Sequence, residues 1–275
     1  MDLIGLQNRA LEQGIGVQLL VGECIQLAFL DGLYRDKRSL PIHFQGGTSI
    51  RLLHQGWRYS EDLDFACGST LPADLNDLVV KAAKHTQAVL NQWWGQASLE
   101  FHLQEKPGRQ GMKTFWIKLK MPGEPKLYRV KLEFAPYPVY QAQAWPTRRA
   151  ESGLSVLPLV LSESLSELLA DKITAFAGRP YIKGRDIFDI WFLTTVLHVH
   201  PDIVLLHKKW RDYHIADARQ AIQKNLSLIT ARQLSDEMDR FLPEPERTRL
   251  AANGYGMLLE ALHACMDKVL PPPVS

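Results

Sequence analysis

Hydrophobic positions recur along the chain with two periods, and the switches between them divide it into elements. In residues 1 to 37, Leu19, Leu20, Cys24, Ile25, Ala28, Phe29 and Leu33 recur at three- and four-residue intervals, which predicts helix. Residues 42–45 read as a short strand and Gly46-Gly47 as a turn. From Thr48 a helix is expected, with Ile50, Leu53 and Trp57 near one face. A second strand follows at Asp62: Leu63 and Phe65 go to the core, and Asp62 and Asp64 project from the other face. After a loop over 68–72, Asp74 stands where it would cap a helix running to Trp94, with Leu75, Leu78, Val79, Ala82, Ala83, Val89 and Leu90 at helical spacing. Three strands are then expected over 99–104, 114–121 and 128–135. The second alternates Phe115, Ile117, Leu119 and Met121 against Trp116, Lys118 and Lys120. The third alternates Tyr128, Val130, Leu132 and Phe134 against Arg129, Lys131 and Glu133, so each has one apolar and one charged face.

The pattern changes at Pro136. From there to Pro158, with Pro138 and Pro146 between, periodicity is weak and a linker or strap is expected. Beyond it the chain reads as helical. A helix begins at Ser162 or Ser164, where Ser164 and Glu167 have the spacing of a capping box. Its apolar stripe runs through Leu165, Leu168, Leu169, Ile173 and Phe176 to Gly178. Further helical patterns cover 202–213, 215–226, 230–242 and 247–270, broken at Pro243-Glu244-Pro245, and the Pro271-Pro272-Pro273 tail reads as disorder. The expected fold class is α+β: a mixed sheet with flanking helices in a domain over 1–150, and a mainly α-helical domain over 151–275.

Composition narrows the class of protein. At 275 residues with 46% hydrophobic content, the chain has ample core for a large domain or two. No apolar run reaches the roughly 18 residues of a membrane span, since Glu23 and Gln26 interrupt 16–30, and the N-terminus lacks a basic segment leading into an apolar one. The three cysteines, Cys24, Cys67 and Cys265, have no metal-ligand spacing, which fits buried thiols in a reducing cytoplasm. A net charge of +2 means that any nucleic-acid binding must come from a local patch. Lys208, Lys209, Arg211, His214, Arg219 and Lys224 are read first as a solvated face, with an RNA-backbone surface as the alternative.

The chemistry concentrates between 44 and 65. A helix N-terminus at Thr48 presents unpaired N–H groups and a positive partial charge. With Gly46 and Gly47 permitting close approach, a hydroxyl on Thr48 and cations at Arg51 and Arg58, it suits a phosphate. Asp62 and Asp64 on one strand face repel unless a divalent ion sits between them, and Mg²⁺ prefers such oxygen ligands together with substrate phosphates. A phosphate cradle beside a metal site implies a nucleotide.

Gly46-Gly47-Thr48 followed by Asp62-Leu63-Asp64 resembles the polymerase-β-type nucleotidyltransferase superfamily. The fuller string Gly46-Gly47-Thr48-Ser49-Ile50-Arg51, Arg58 and Ser60-Glu61-Asp62-Leu63-Asp64 is similar to the AbiEii/AbiGii toxin family, which includes the mycobacterial MenT toxins. Later stretches, 166–172, Arg179 and 185–191, are similar to that family's later motifs. The resemblance implies a third carboxylate from a neighbouring strand, for which Glu133 is best placed; the other reading of Glu133 is an ion-pair partner among its cations. It also implies that Lys172 meets nucleotide phosphates and that Asp186 serves activity. A snorkelling lysine and a helix N-cap are the alternatives, and Asp189 is read either with them or as a partner of Arg185 or Arg179.

Together these imply an enzyme: two Mg²⁺ ions, or Mn²⁺ in their place, held by Asp62, Asp64 and Glu133, an NTP as substrate, in-line attack on the α-phosphorus and release of pyrophosphate. The family further implies a cytoplasmic toxin of a bacterial toxin–antitoxin pair, acting on the tRNA 3′ end, with a cognate antitoxin encoded nearby. Transfer to a protein or small molecule, and a non-catalytic nucleotide- or RNA-binding regulator, are the competing readings.

Overall fold

A computed structural model describes residues 3–95, 100–107, 111–121, 126–147 and 159–270. The chain divides into two compact units, Met1–Ser162 and Glu163–Ser275. The domain boundary expected at 150/151, the start of the strand expected over 99–104 and the proline tail lie outside the described residues.

The first unit opens with α1 (Leu3–Gln13) and α2 (Val17–Tyr34). The helical stretch expected over 1 to 37 is broken at Gly14, whose φ of +61° no helix continues. Next come β1 (His43–Gln45), α3 (Gly46–His54), β2 (Asp62–Ala66), α4 (Leu75–Trp94), β3 (Glu100–Pro107), β4 (Lys113–Lys120), β5 (Leu127–Ala135), β6 (Ala142–Pro146) and β7 (Leu159–Glu163). They form one mixed sheet in the order β3-β4-β5-β2-β1-β7-β6. β2 runs parallel to β5 and β1 to β7, whereas β1/β2, β3/β4 and β4/β5 are antiparallel. The proline-rich strap thus contributes an edge strand, β6, and at an edge Pro146 removes no ladder bond that the sheet needs.

Alternation sorts the side chains as expected. Leu63, Phe65, Ile117, Leu119, Val130, Leu132 and Phe134 are fully buried on the inner face. Phe65 stacks on Phe134 at 4.6 Å between centroids, and Phe29 of α2 lies 6.4 Å from Phe65. Each such side chain contributes roughly 1.5–3 kcal/mol by leaving water. Although broken in sequence by Glu23 and Gln26, α2 is long and apolar enough to cross a membrane by length and composition, and most of it is buried in the folded chain. Glu23 Oε2 pairs with Arg51 Nε at 2.9 Å, and Gln26 donates to the Ser60 carbonyl at 3.0 Å.

The second unit is helical: α5 (Leu165–Gly178), α6 (Gly184–Trp191) running into a π-helical turn (Phe192–Val196), α7 (Ile203–Asp212), α8 (Ala218–Leu228), α9 (Ala231–Met238), α10 (Glu244–Ala251) and α11 (Gly256–Val269). Ser164, Asp202, Asp217 and Thr230 cap α5, α7, α8 and α9, each accepting a backbone N–H three residues on. The long C-terminal helix pattern is two helices, because Tyr255 turns left-handed before α11. Pro245 sits in the first turn of α10, where its missing N–H costs nothing. The architecture is α+β, as the alternation of periods predicts.

Candidate active site

Sequence places α3 directly after β1, and the helix starts two residues earlier than expected, at Gly46 itself. Gly46 has φ of +81°, and a Cβ there would stand 2.7 Å from Asp64 Oδ2. A Cβ on Gly47 would stand 1.8 Å from Arg58 Nη2. The two glycines therefore let a carboxylate and a guanidinium touch the backbone at the start of α3. The Thr48 hydroxyl donates to the Asp62 carbonyl and so holds the loop to β2, while Ser49 Oγ donates to the Gly46 carbonyl at 2.8 Å within the first turn of α3.

Register brings the acids together. Gln45 lies opposite Asp64, Asp64 opposite Glu133, and Asp62 opposite Lys131. Paired residues on neighbouring strands share a face, about 4.8 Å apart. Asp62, Asp64 and Glu133 are thus neighbours on the outer face, and all three are half-buried. Glu133 Oε2 lies 2.6 Å from Lys131 Nζ, the ion-pair alternative foreseen for it. Their oxygen chemistry suits a divalent ion. The fit is one of face and register: as the side chains stand, no three His, Cys, Asp or Glu groups gather as a metal site among the described residues. A groove of about 260 Å³ lies one residue upstream of Asp62, lined by Gln18, Leu19, Gly22, Ser60, Glu61, Leu127, Tyr128 and Arg129.

The two arginines are engaged by the fold. Arg51 Nε lies 2.9 Å from Glu23 Oε2, its Nη1 donates to the Gly56 carbonyl at 2.9 Å, and its guanidinium covers the Tyr59 ring at 3.9 Å. Arg58 is buried against Gly47 and donates to the Tyr59 carbonyl at 3.2 Å.

Within the second unit, Lys172 on α5 reaches across to α6. Its Nζ is 3.1 Å from Asp186 Oδ1 and 2.8 Å from Asp189 Oδ2, and Arg179 pairs with the other oxygen of Asp186. The cap of α6 is Lys183, so Asp186 sits in the first turn and is not the N-cap. Asp189 is fully buried and pairs with Lys172, whereas one of its two readings had paired it with Arg185 or Arg179.

A second cluster escaped sequence reading. Lys209, assigned above to an exposed basic face, is buried, with Glu167 at 2.6 Å, Asp171 at 3.0 Å and Glu163 at 3.7 Å from its ammonium. Ser164 accepts the Glu167 N–H at 3.2 Å, and the Glu167 carboxylate also reaches Lys209. Burial, then the charge of Asp171, pushes the Glu163 carboxyl well above its usual range. Burial opposes the charged form of Lys209, but Asp171, Glu163 and Glu167 outweigh it and hold the ammonium above its usual range. The four-residue spacing of Glu163, Glu167 and Asp171 was the available signal. Cys24, Cys67 and Cys265 are buried free thiols, each pushed up to about 12 by burial.

The sheet, the helical second unit and the glycine loop beside paired acids are those of a nucleotidyltransferase. Two solved Helicobacter pylori structures share the fold. One, a protein assigned by inference as a nucleotidyltransferase, aligns with TM-score 0.51 and 17% identity over 94% of this chain and 100% of its own. The other, JHP933, aligns with TM-score 0.51 and 18% identity over 92% and 95%. No curated protein matches the sequence. Residues 28–265 match the family described as nucleotidyl transferase AbiEii toxin, type IV TA system, and the chain belongs to that family.

Proposed function

We propose that the protein is a divalent-metal-dependent toxin that transfers NMP from an NTP to the 3′ end of tRNA in the cytoplasm, releases pyrophosphate, and is countered by an antitoxin encoded nearby. The observation that carries this reading is the row Gln45, Asp64, Glu133 with Asp62 beside it, facing outward next to the glycine-lined start of α3.

Asp62, Asp64 and Glu133 would hold Mg²⁺, or Mn²⁺, which when bound supplies Lewis-acid stabilisation of the phosphates and a lowered pKa for the attacking hydroxyl. The backbone N–H groups at Gly47 and Thr48 bind phosphate oxygens at the positive end of α3. Arg58, buried behind Gly47, adds its charge through the backbone. Glu133 takes up the acceptor's proton once it parts from Lys131. Lys172 and Asp186 enter as a pair: Lys172 is already bonded to two carboxylates, so its binding of phosphate requires exchange of one of them.

Incubation with each labelled NTP, total tRNA and Mg²⁺ tests the reading. Label on tRNA, lost in Asp64→Ala, is expected, together with growth arrest on induced expression. Label on protein or a small molecule would replace the acceptor, and label nowhere would leave a binding protein.

A further inference from the structure

The outer face that carries the acids continues across β5, β4 and β3. In register, Lys131 lies opposite Trp116 and Arg129 opposite Lys118, while Lys120 lies farther along β4 and Lys106 pairs with Thr114 at the far edge. These side chains share the outer face, because the buried row Phe115, Ile117, Leu119, Val130 and Leu132 occupies the other. Lys106, Lys120 and Arg129 are exposed, and Trp116, Lys118 and Lys131 are half-buried. Glu133 stands at one edge of this three-strand face beside Asp64, and Glu100 lies opposite Lys120 on β3. Cations therefore predominate on the face between Glu100 and the acids Glu133 and Asp64, over roughly 15 Å at about 4.8 Å per strand.

We infer that this face is a track for single-stranded RNA, on which Trp116 stacks an unpaired base, the surrounding cations hold phosphates, and the terminal hydroxyl is delivered to Asp62 and Asp64. The inference rests on the proposed transfer to an RNA end and adds where the acceptor lies. An indole among cations matches the alternation of base and phosphate in a single strand. A duplex would hide the base faces from the ring. An acidic protein segment would satisfy the cations but leave Trp116 without a matching partner. With a net charge of only +2 on the chain, such a local patch is where phosphate affinity must reside.

The test is binding of a labelled 12-nucleotide single-stranded RNA, followed by anisotropy in EDTA without nucleotide, across a salt series. Trp116→Ala is expected to weaken binding roughly tenfold with the salt slope kept. Lys118→Glu is expected to weaken it and to lower the slope by about 1. Thermal unfolding checks that each variant folds, and should Trp116→Ala fail, Lys118→Glu carries the test. Parental binding by folded Lys118→Glu and Trp116→Ala overturns the proposal, as does tighter binding of the matching DNA strand, of duplex RNA or of an acidic peptide. The assay needs neither metal nor NTP, so the two readings fail separately. Transfer to RNA unaltered in the face variants sinks the track alone, and face-dependent binding without any transfer sinks the enzymatic acceptor alone.

Discussion

The chain's two kinds of charged cluster are built in opposite ways. On the sheet, Asp62, Asp64 and Glu133 stay half-exposed, with glycine backbone in front of them. In the second unit, Lys172 with Asp186 and Asp189, and Lys209 with Glu163 and Glu167, are buried, and Asp171 at the edge of the second cluster is half-buried. A buried ion must be matched by its neighbours, so its partners are already chosen and it holds helices together. Under the proposed function the sheet acids receive a metal and a substrate, which needs open space, and they stand half-exposed. The contrast separates architecture from chemistry within one sequence rich in both.

The largest test exchanges the two. Asp62→Ala should lower nucleotidyl transfer at least about a thousandfold, the loss of several kcal/mol of charge stabilisation, while the melting temperature stays within about 2 °C. Lys209→Met should do the reverse. Three carboxylates left without their lysine cost roughly 3–5 kcal/mol, a fall of about 10 °C, with kcat per folded molecule kept. Melting curves and single-turnover rates read both, and a swapped result would break the comparison.

Lys172→Ala sharpens it. Loss of the cation beside fully buried Asp189 should cost about 3 kcal/mol. If Lys172 also serves phosphate, KM for the NTP rises at least tenfold in the folded fraction, and an unchanged KM would confine Lys172 to architecture.

A smaller effect lies in pH. The folded pKa of Glu163 is raised above its ordinary 4.5 by burial and then by Asp171, with Glu167 adding to the rise and Lys209 opposing it. Between 4.5 and the folded value the native chain keeps a proton that the unfolded chain releases. Stability from this group is therefore full below about pH 4.5 and declines as pH rises through the folded pKa. Glu163→Gln should flatten that decline in denaturant titrations from pH 5 to 9, and an unaltered slope would assign it elsewhere. The smallest effect is expected from Gly46→Ala: a positive φ and a Cβ crowding Asp64 cost about 1–2 kcal/mol, with transfer down severalfold.

Much of the sheet was legible because period-2 alternation states which side chains share a face. The strands carrying Asp62, Asp64 and Glu133 were placed within a residue or two, and with them the acids' common side. Less legible was α2. Glu23 and Gln26 read as interruptions of an apolar run, yet both face polar partners in a helix otherwise largely buried. Prolines in the strap hid β6 because an edge strand tolerates them.

What the sequence determined alone is local: periods, caps, the glycine loop and the spacing of acids on a strand. These follow from backbone geometry within a few residues. Tertiary structure decided which charge meets which. Arg51 reaches back to Glu23, Lys172 takes Asp189, and Lys209 gathers Glu163, Glu167 and Asp171. Ion pairing depends on distance and desolvation after packing, and no periodicity records either. A lysine that looked like solvated surface thus became a buried tie.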